Sequence, residues 1–126
     1  RRPARLSELN RTLIAWANAR LGITTPLVDA ASLPGQGRKT ERLISLVQAV
    51  GGTRYLSGPA AEAYLEPEAF HRAGIVLEYK SYDYEPYPQP WGEFEGAVSI
   101  LDLLANTGTE ARRFLKSRTA NRVIAG

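Results

Sequence analysis

The sequence predicts an α/β fold: a small parallel sheet with flanking helices, Rossmann-like in its half-unit, followed by a Pro- and aromatic-rich loop and C-terminal helices. Three observations predict it. Apolar residues recur at three- and four-residue steps in several separate segments, the spacing that gathers side chains on one helical face. Two short β-favouring runs stand between those segments: Thr53–Ser57, bounded by glycines as a buried strand is, and Ile75–Tyr79, which follows Gly74. Helix and strand signals alternate, which is the order that right-handed β-α-β crossovers impose on a parallel sheet.

Each element has its own signal. Ser7 precedes Leu9, Leu13, Trp16, Ala17 and Leu21 at helical spacing; it suits an N-cap, and Gly22 suits a stop. The apolar piece Pro26-Leu27-Val28 reads as a strand, and Asp29–Gly37, dense in turn formers, as a flexible loop of ligand size. From Lys39 to Val50, the residues Leu43, Ile44, Leu46, Val47 and Val50 follow helical spacing, and Gly51-Gly52 ends the run where a left-handed cap belongs. After the strand at Thr53–Ser57, Gly58-Pro59 turns the chain into a helical stretch at 60–65, with Pro59 suited to a first helical position. Glu66-Pro67 opens a short helix, Glu68–Ala73, closed by Gly74, and Ile75–Tyr79 is the next strand.

Ser81–Glu95 holds three prolines and the aromatics Tyr82, Tyr84, Tyr87, Trp91 and Phe94. That is too much proline for a central strand or helix, and the aromatic content marks a structured surface segment. Ser99–Leu104 and Thr109–Leu115 resume helical spacing, and Ser117–Gly126 reads as loosely held.

The 126 residues amount to a single α/β domain, long enough to bury roughly two-thirds of the surface that the unfolded chain exposes. A hydrophobic fraction of 44% with 23% charged residues is that of a globular chain rather than a disordered one. No apolar run reaches the ~18 residues a bilayer span needs, so no membrane partner is expected. Without cysteine, and with His71 as the single histidine, thiol nucleophiles and Cys- or multi-His metal sites are excluded, and no metal or cofactor is expected. The net charge of +3 admits an anionic ligand. Basic residues interspersed with acids do not form the stripe that nucleic acid requires. No basic and then apolar leader is present in these residues, which points to a cytoplasmic protein.

Two segments follow strands and therefore open on the same edge of the predicted sheet, where ligands of open α/β sheets bind. Gly35-Gln36-Gly37-Arg38-Lys39-Thr40 combines small residues, two cations and a helix start. Those features suit a phosphate or carboxylate, and they equally suit a solvated basic helix start; the Walker A spacing is missing. Ser57-Gly58 offers a hydroxyl and a close backbone approach, for a ligand or for capping the next helix. Glu41, Asp83, Glu93, Glu95 and Asp102 are the carboxylates that could act as bases. Asp102 sits inside the apolar run Ile100–Leu104, so an inward-facing carboxylate there needs a partner. His71, beside Phe70 and Arg72, reads as a surface or packing residue. The tyrosines, Gln89 and Trp91 either stack on a sugar or base or cover the edge of the sheet.

Three stretches taken together resemble the WbqC-like protein family: Arg38-Lys-Thr-Glu-Arg-Leu43; Tyr55-Leu-Ser-Gly-Pro-Ala60 with Tyr64-Leu65; and Tyr87-Pro-Gln89 with Gly92-Glu-Phe94 and Ser99–Leu104. Phe70–Ile75 and Leu6–Asn10 also fit, so the resemblance runs from about Leu6 to Leu115. It departs where the chain has Leu104-Ala-Asn-Thr-Gly108 in place of Leu-Phe-Asn-Cys-Gly, and at Trp91. The resemblance implies the C-terminal part of a longer protein that acts in bacterial polysaccharide (O-antigen type) or related small-molecule biosynthesis. It implies a transferase or ligase for a phosphorylated or nucleotide-activated substrate, or else a non-catalytic module that pairs with an N-terminal half or with another copy. The matching polar positions are Lys39, Thr40, Glu41, Arg42, Ser57, Gly58, Tyr87, Gln89, Asp102 and Asn106; Lys39 and Arg42 would bind phosphate, and Tyr87 and Gln89 would orient a polar substrate.

Overall fold

Residues 5–125 are described by a computed structural model, and their contacts gather into two units, both discontinuous in sequence. One unit joins the residues up to Pro26 to Tyr84–Arg118; the other joins Leu27–Asp83 to the residues from Thr119 onward. The architecture is mixed α/β.

The second unit carries the sheet. Helix α1 (Leu6–Leu21) belongs to the first unit, so the sheet unit begins with a 3-10 turn at Ala30–Ser32, which Asp29 caps by accepting from Ala31 N (2.9 Å). Helix α2 spans Lys39–Ala49. Its end follows the sequence: Gly51 has φ +70°, and Gly52 N donates to Val47 O at 2.8 Å, a left-handed cap that only glycine adopts without strain. Strand β1 (Arg54–Ser57), a 3-10 turn at Pro59–Ala63, helix α3 (Pro67–Arg72) and strand β2 (Val76–Tyr79) form one crossover. β1 and β2 pair in parallel, Arg54 opposite Val76 and Ser57 opposite Tyr79.

Side-chain alternation places the core. Leu77 and Tyr79 point inward from β2 and meet Ala61, Leu65, Phe70 and Ile75, with Leu43, Ile44 and Val47 of α2 packed over them. Phe70 and Leu77 retain no exposed surface, and the Tyr55 ring stacks on Phe70 with centroids 5.5 Å apart. The outer face shows Arg54, whose guanidinium donates to Glu78 at 2.6 Å and holds that carboxyl below its ordinary value.

Four expectations are corrected here. The sheet is not purely parallel: β3 (Arg122–Ala125) lies antiparallel to β2, with Glu78 opposite Val123 and Tyr79 opposite Arg122. The tail expected to be loose is therefore a strand. It is fixed by the Arg122–Glu62 ion pair, by the Arg122 guanidinium 5.5 Å over the Tyr79 ring, and by Asn121 Oδ1 accepting from Ser81 N (2.9 Å). Pro26–Val28 forms no strand; Leu27 and Val28 are about half exposed, and three residues beginning with a proline offer too few donors for a ladder. The stretches at 60–65 and 109–115 are 3-10, at Pro59–Ala63 and Gly108–Leu115. Pro67 holds Glu66 extended, as the residue before proline must be, which leaves room for one tight turn after Pro59.

The first unit is helical. α1 spans Leu6–Leu21 and ends at Gly22, where Ile23 N donates to Asn18 O at 2.8 Å. Its N-cap is Arg5, without a side-chain cap bond, rather than Ser7. Helix α4 (Ile100–Thr107) starts on Ser99, whose Oγ accepts from Leu101 N, and Gly108–Leu115 continues from it. Leu21, Tyr87, Leu103 and Ala111 are the buried centre, with Phe94, Ile100 and Phe114 packed around them. The Pro-rich segment is thus structured as expected: Tyr87 meets Phe94 and Phe114 edge-on at 5.0 and 5.7 Å.

Phe70→Ala empties the centre of the sheet unit. It is expected to cost about 3–5 kcal/mol, read from denaturant unfolding, whereas Leu56→Ala, on a residue half exposed, is expected to stay within about 0.5 kcal/mol.

Candidate functional site

The polar residues singled out in the sequence divide between the units. Lys39, Thr40, Glu41, Arg42, Ser57 and Gly58 lie in the sheet unit; Tyr87, Gln89, Asp102 and Asn106 lie in the helical unit.

In the sheet unit, the loop before α2 is tied to the helix it feeds. Ser45 Oγ accepts from Gln36 N (2.8 Å) and shares its hydrogen with Arg42 O (2.8 Å) and Gln36 O (3.1 Å). Arg42 donates to Gly35 O at 3.4 Å. Gly37 has φ +77°, which favours glycine, and the Glu41 side chain lies against it, its carboxyl carbon 2.5 Å from where a Cβ would fall. Glu41 thus folds back against the start of its own helix, a favourable place for an anion, rather than standing clear as a base.

Thr40 is 3% exposed, and its Oγ1 accepts from Glu66 N at 3.3 Å. Glu66 is the N-cap residue of α3, and α3 leaves from the carboxyl edge of β1. One hydroxyl therefore joins the starts of α2 and α3 at that edge. Thr40 uses its acceptor for structure. Lys39 does not: it is exposed, it has no hydrogen-bond or ion-pair partner among the described residues, and it opens the helix with φ +50°. A non-glycine residue there carries backbone strain. β1 ends at Ser57, whose carbonyl accepts from Lys80 N at 2.8 Å. The Tyr82 hydroxyl stands 3.7 Å from where a Gly58 Cβ would lie. Ser45, beside the loop before α2, was not singled out by the motifs, and Tyr82, beside Gly58, was singled out only among the tyrosines. Tyr82 carried a signal in the aromatic series, whereas Ser45 had only its position three residues after Arg42 on α2.

In the helical unit, the Asp102 carboxylate is the hub. Its Oδ2 accepts from the Tyr87 hydroxyl at 2.5 Å and from Gln89 Nε2 at 2.9 Å, while Asn106 Nδ2 donates to Asp102 O at 2.9 Å. Gln89 also accepts from Glu95 N and donates to Glu95 O, both at 2.9 Å, pinning the Pro-rich loop closed. The Tyr87 and Gln89 hydrogen bonds hold the Asp102 carboxyl below its ordinary value. Burial, aided by the bond to Asp102, pushes the Tyr87 hydroxyl up. A carboxylate stabilised in its charged form is a weak proton acceptor. The arrangement makes Asp102 an orienting group that keeps Tyr87 and Gln89 in one geometry. Trp91, on the same loop, is 86% exposed.

Among the described residues, no three His, Asp or Glu side chains gather to hold a metal ion, and no helix is long and apolar enough to cross a membrane.

A family model described as the WbqC-like protein family matches residues 1–114. Uncharacterized protein Rv1507c of Mycobacterium tuberculosis (strain ATCC 25618 / H37Rv) is 44% identical over 112 residues, covering 88% of this chain and 48% of that protein. The chain thus spans about half the length of this relative. No solved structure matches it.

The lowered Asp102 value sets an acid limit. A carboxyl depressed in the folded state adds stability above its unfolded pKa, near 4, and that stability is lost as pH falls through the folded value. The melting temperature is expected to drop below about pH 4, and Asp102→Asn to flatten that drop; an unchanged acid profile in the variant would refute the assignment.

Proposed function

The chain belongs to the WbqC-like protein family, and from that premise we propose that it carries an anion-binding edge for a phosphorylated or nucleotide-activated small molecule. The whole protein would act as a transferase or ligase in the cytoplasm, in bacterial polysaccharide or related small-molecule biosynthesis, with this chain as the C-terminal part of a longer polypeptide. The observation that carries the reading is Lys39: a cation without a hydrogen-bond or ion-pair partner among the described residues, held in strained backbone at the head of α2.

Several features support it. The β1–α3–β2 crossover is parallel, the element a Rossmann-like half-unit requires, and ligands of such sheets bind beyond the carboxyl ends of the strands. The Thr40–Glu66 bond keeps two helix starts together there, so backbone N–H groups and the positive end of the eleven-residue α2 add to the Lys39 charge. Arg42, three residues on, keeps guanidinium donors beyond the one given to Gly35 O. Ser57 and the Tyr82 hydroxyl would bind the polar part of the substrate. In this mechanism the chain binds and orients phosphates and stabilises the charge that develops on them during transfer, a role that needs preorganised donors more than a general base.

Thermal shift of the 126-residue chain with pyrophosphate, ATP, CTP and nucleotide sugars tests the reading, since a ligand of the native state raises its stability by RT ln(1 + [L]/Kd). A rise of a few degrees is expected for at least one phosphate ligand, and its loss in Lys39→Ala with the unliganded melting temperature unchanged. Lys39→Gly should abolish the same shift while raising stability by up to about 1 kcal/mol, because glycine relieves the positive φ. Normal binding by Lys39→Ala would overturn the proposal.

A further inference from the structure

Helix α1 has one broad apolar face, and only part of it is covered. Ala17 and Leu21 face the interior of the helical unit and are buried. Leu6, Leu9, Leu13 and Trp16, at steps of three, four and three, continue the same face and keep 72%, 41%, 49% and 41% of their surface exposed. At 1.5 Å per residue this exposed stripe runs for about 15 Å. Leu101 of α4, 54% exposed, adjoins it. Hollows of about 520 and 490 Å³ flank the row, and Trp16 and Leu101 line both. An extended row with heptad-like spacing is the shape that receives another helix, and a contiguous apolar patch of this kind marks an interaction surface.

We propose that this face seats an amphipathic helix with acidic flanks, supplied by the portion of a WbqC-like polypeptide that this chain lacks. Two observations choose that occupant. The stripe lies within residues 1–114, the part matched by the family model, while the mycobacterial relative is about twice as long as the part this chain matches. The family chain therefore extends well beyond the stretch that includes α1. The stripe is also bracketed by cations, with Arg5 at its head and Arg20, 5.1 Å over the Trp16 ring, at its foot. Two copies of α1 related by a two-fold axis would set arginine against arginine whether the helices ran parallel or antiparallel. A helix carrying Asp or Glu at its flanks would pair with both.

The test mixes the 126-residue chain with the separately produced part of the mycobacterial relative that lies outside the matched stretch. Complex formation is followed by calorimetry and by light scattering after gel filtration. The expected result is a monomeric chain that forms a one-to-one complex of micromolar or tighter affinity. Leu13→Glu and Leu6→Glu, both on exposed positions, should weaken it at least about tenfold, with circular dichroism melts unchanged. Leu56→Glu, on the sheet unit, should leave it intact. Absence of a complex overturns the proposal. So does a complex indifferent to both α1 variants, and so does self-association of the chain that Leu13→Glu disperses, which would assign the face to a second copy. Pyrophosphate binding at Lys39 does not enter these readouts.

Discussion

Phe70 is the residue around which the sheet unit is organised. Keeping an aromatic ring wholly out of water requires a surface on every side of it, and each neighbour has a backbone reason to be there. Pro67 and Gly74 fix the length of α3; the parallel pairing of β1 and β2 supplies Tyr55 and Leu77; the 3-10 turn after Pro59 delivers Ala61 and, just beyond it, Leu65. Because α3 must reach back over the sheet to bring Phe70 into place, its start is carried to the carboxyl edge of β1. Thr40 then locks α2 to that start. The polar edge is a by-product of burying one ring, and its geometry inherits the rigidity of the core.

The helical unit solves a different problem. A segment with prolines at 86, 88 and 90 cannot supply its own backbone ladder, so its order comes from side chains. Tyr87 contributes an apolar body to the core and a hydroxyl to Asp102, and Gln89 binds both Asp102 and the backbone of Glu95. One carboxylate organises a loop that hydrophobic packing alone would leave loosely specified, and it stays charged because both donors reach the same oxygen.

Legibility followed sequence distance. Helix ends at Gly22, Gly51 and Gly74 and the start at Pro67 rest on local chemistry, and they stand where the sequence put them. β3 does not: Arg122–Ala125 is four residues long, and its partner β2 lies more than forty residues earlier, so nothing near it in sequence declares the pairing. A 3-10 turn differs from an α-helix by one step in its hydrogen bonds, which apolar spacing over six or eight residues does not resolve. Among site residues, the need of Asp102 for partners was readable from its apolar run, though not which donors would meet it. Thr40 carried the right residue type, but its acceptor is used within the fold. The spacing of α1 marked an apolar face without revealing that half of it would stay uncovered, since periodicity reports amphipathicity and not what covers it.

The interleaving of the two units has a consequence for how the chain comes to be folded. Each unit is assembled from two stretches, and each unit's second stretch arrives only after most of the other unit has been made. On a growing polypeptide the β1–α3–β2 crossover can close early, because its contacts are local, while the antiparallel β3 edge must wait for a late segment to return. Until it does, β2 has an open edge, a place where a second nascent copy could pair. For the same reason, no single cut isolates either unit. Ending the chain at Asp83 leaves the sheet without its third strand and leaves α1 without α4 and the rest of the core it packs on.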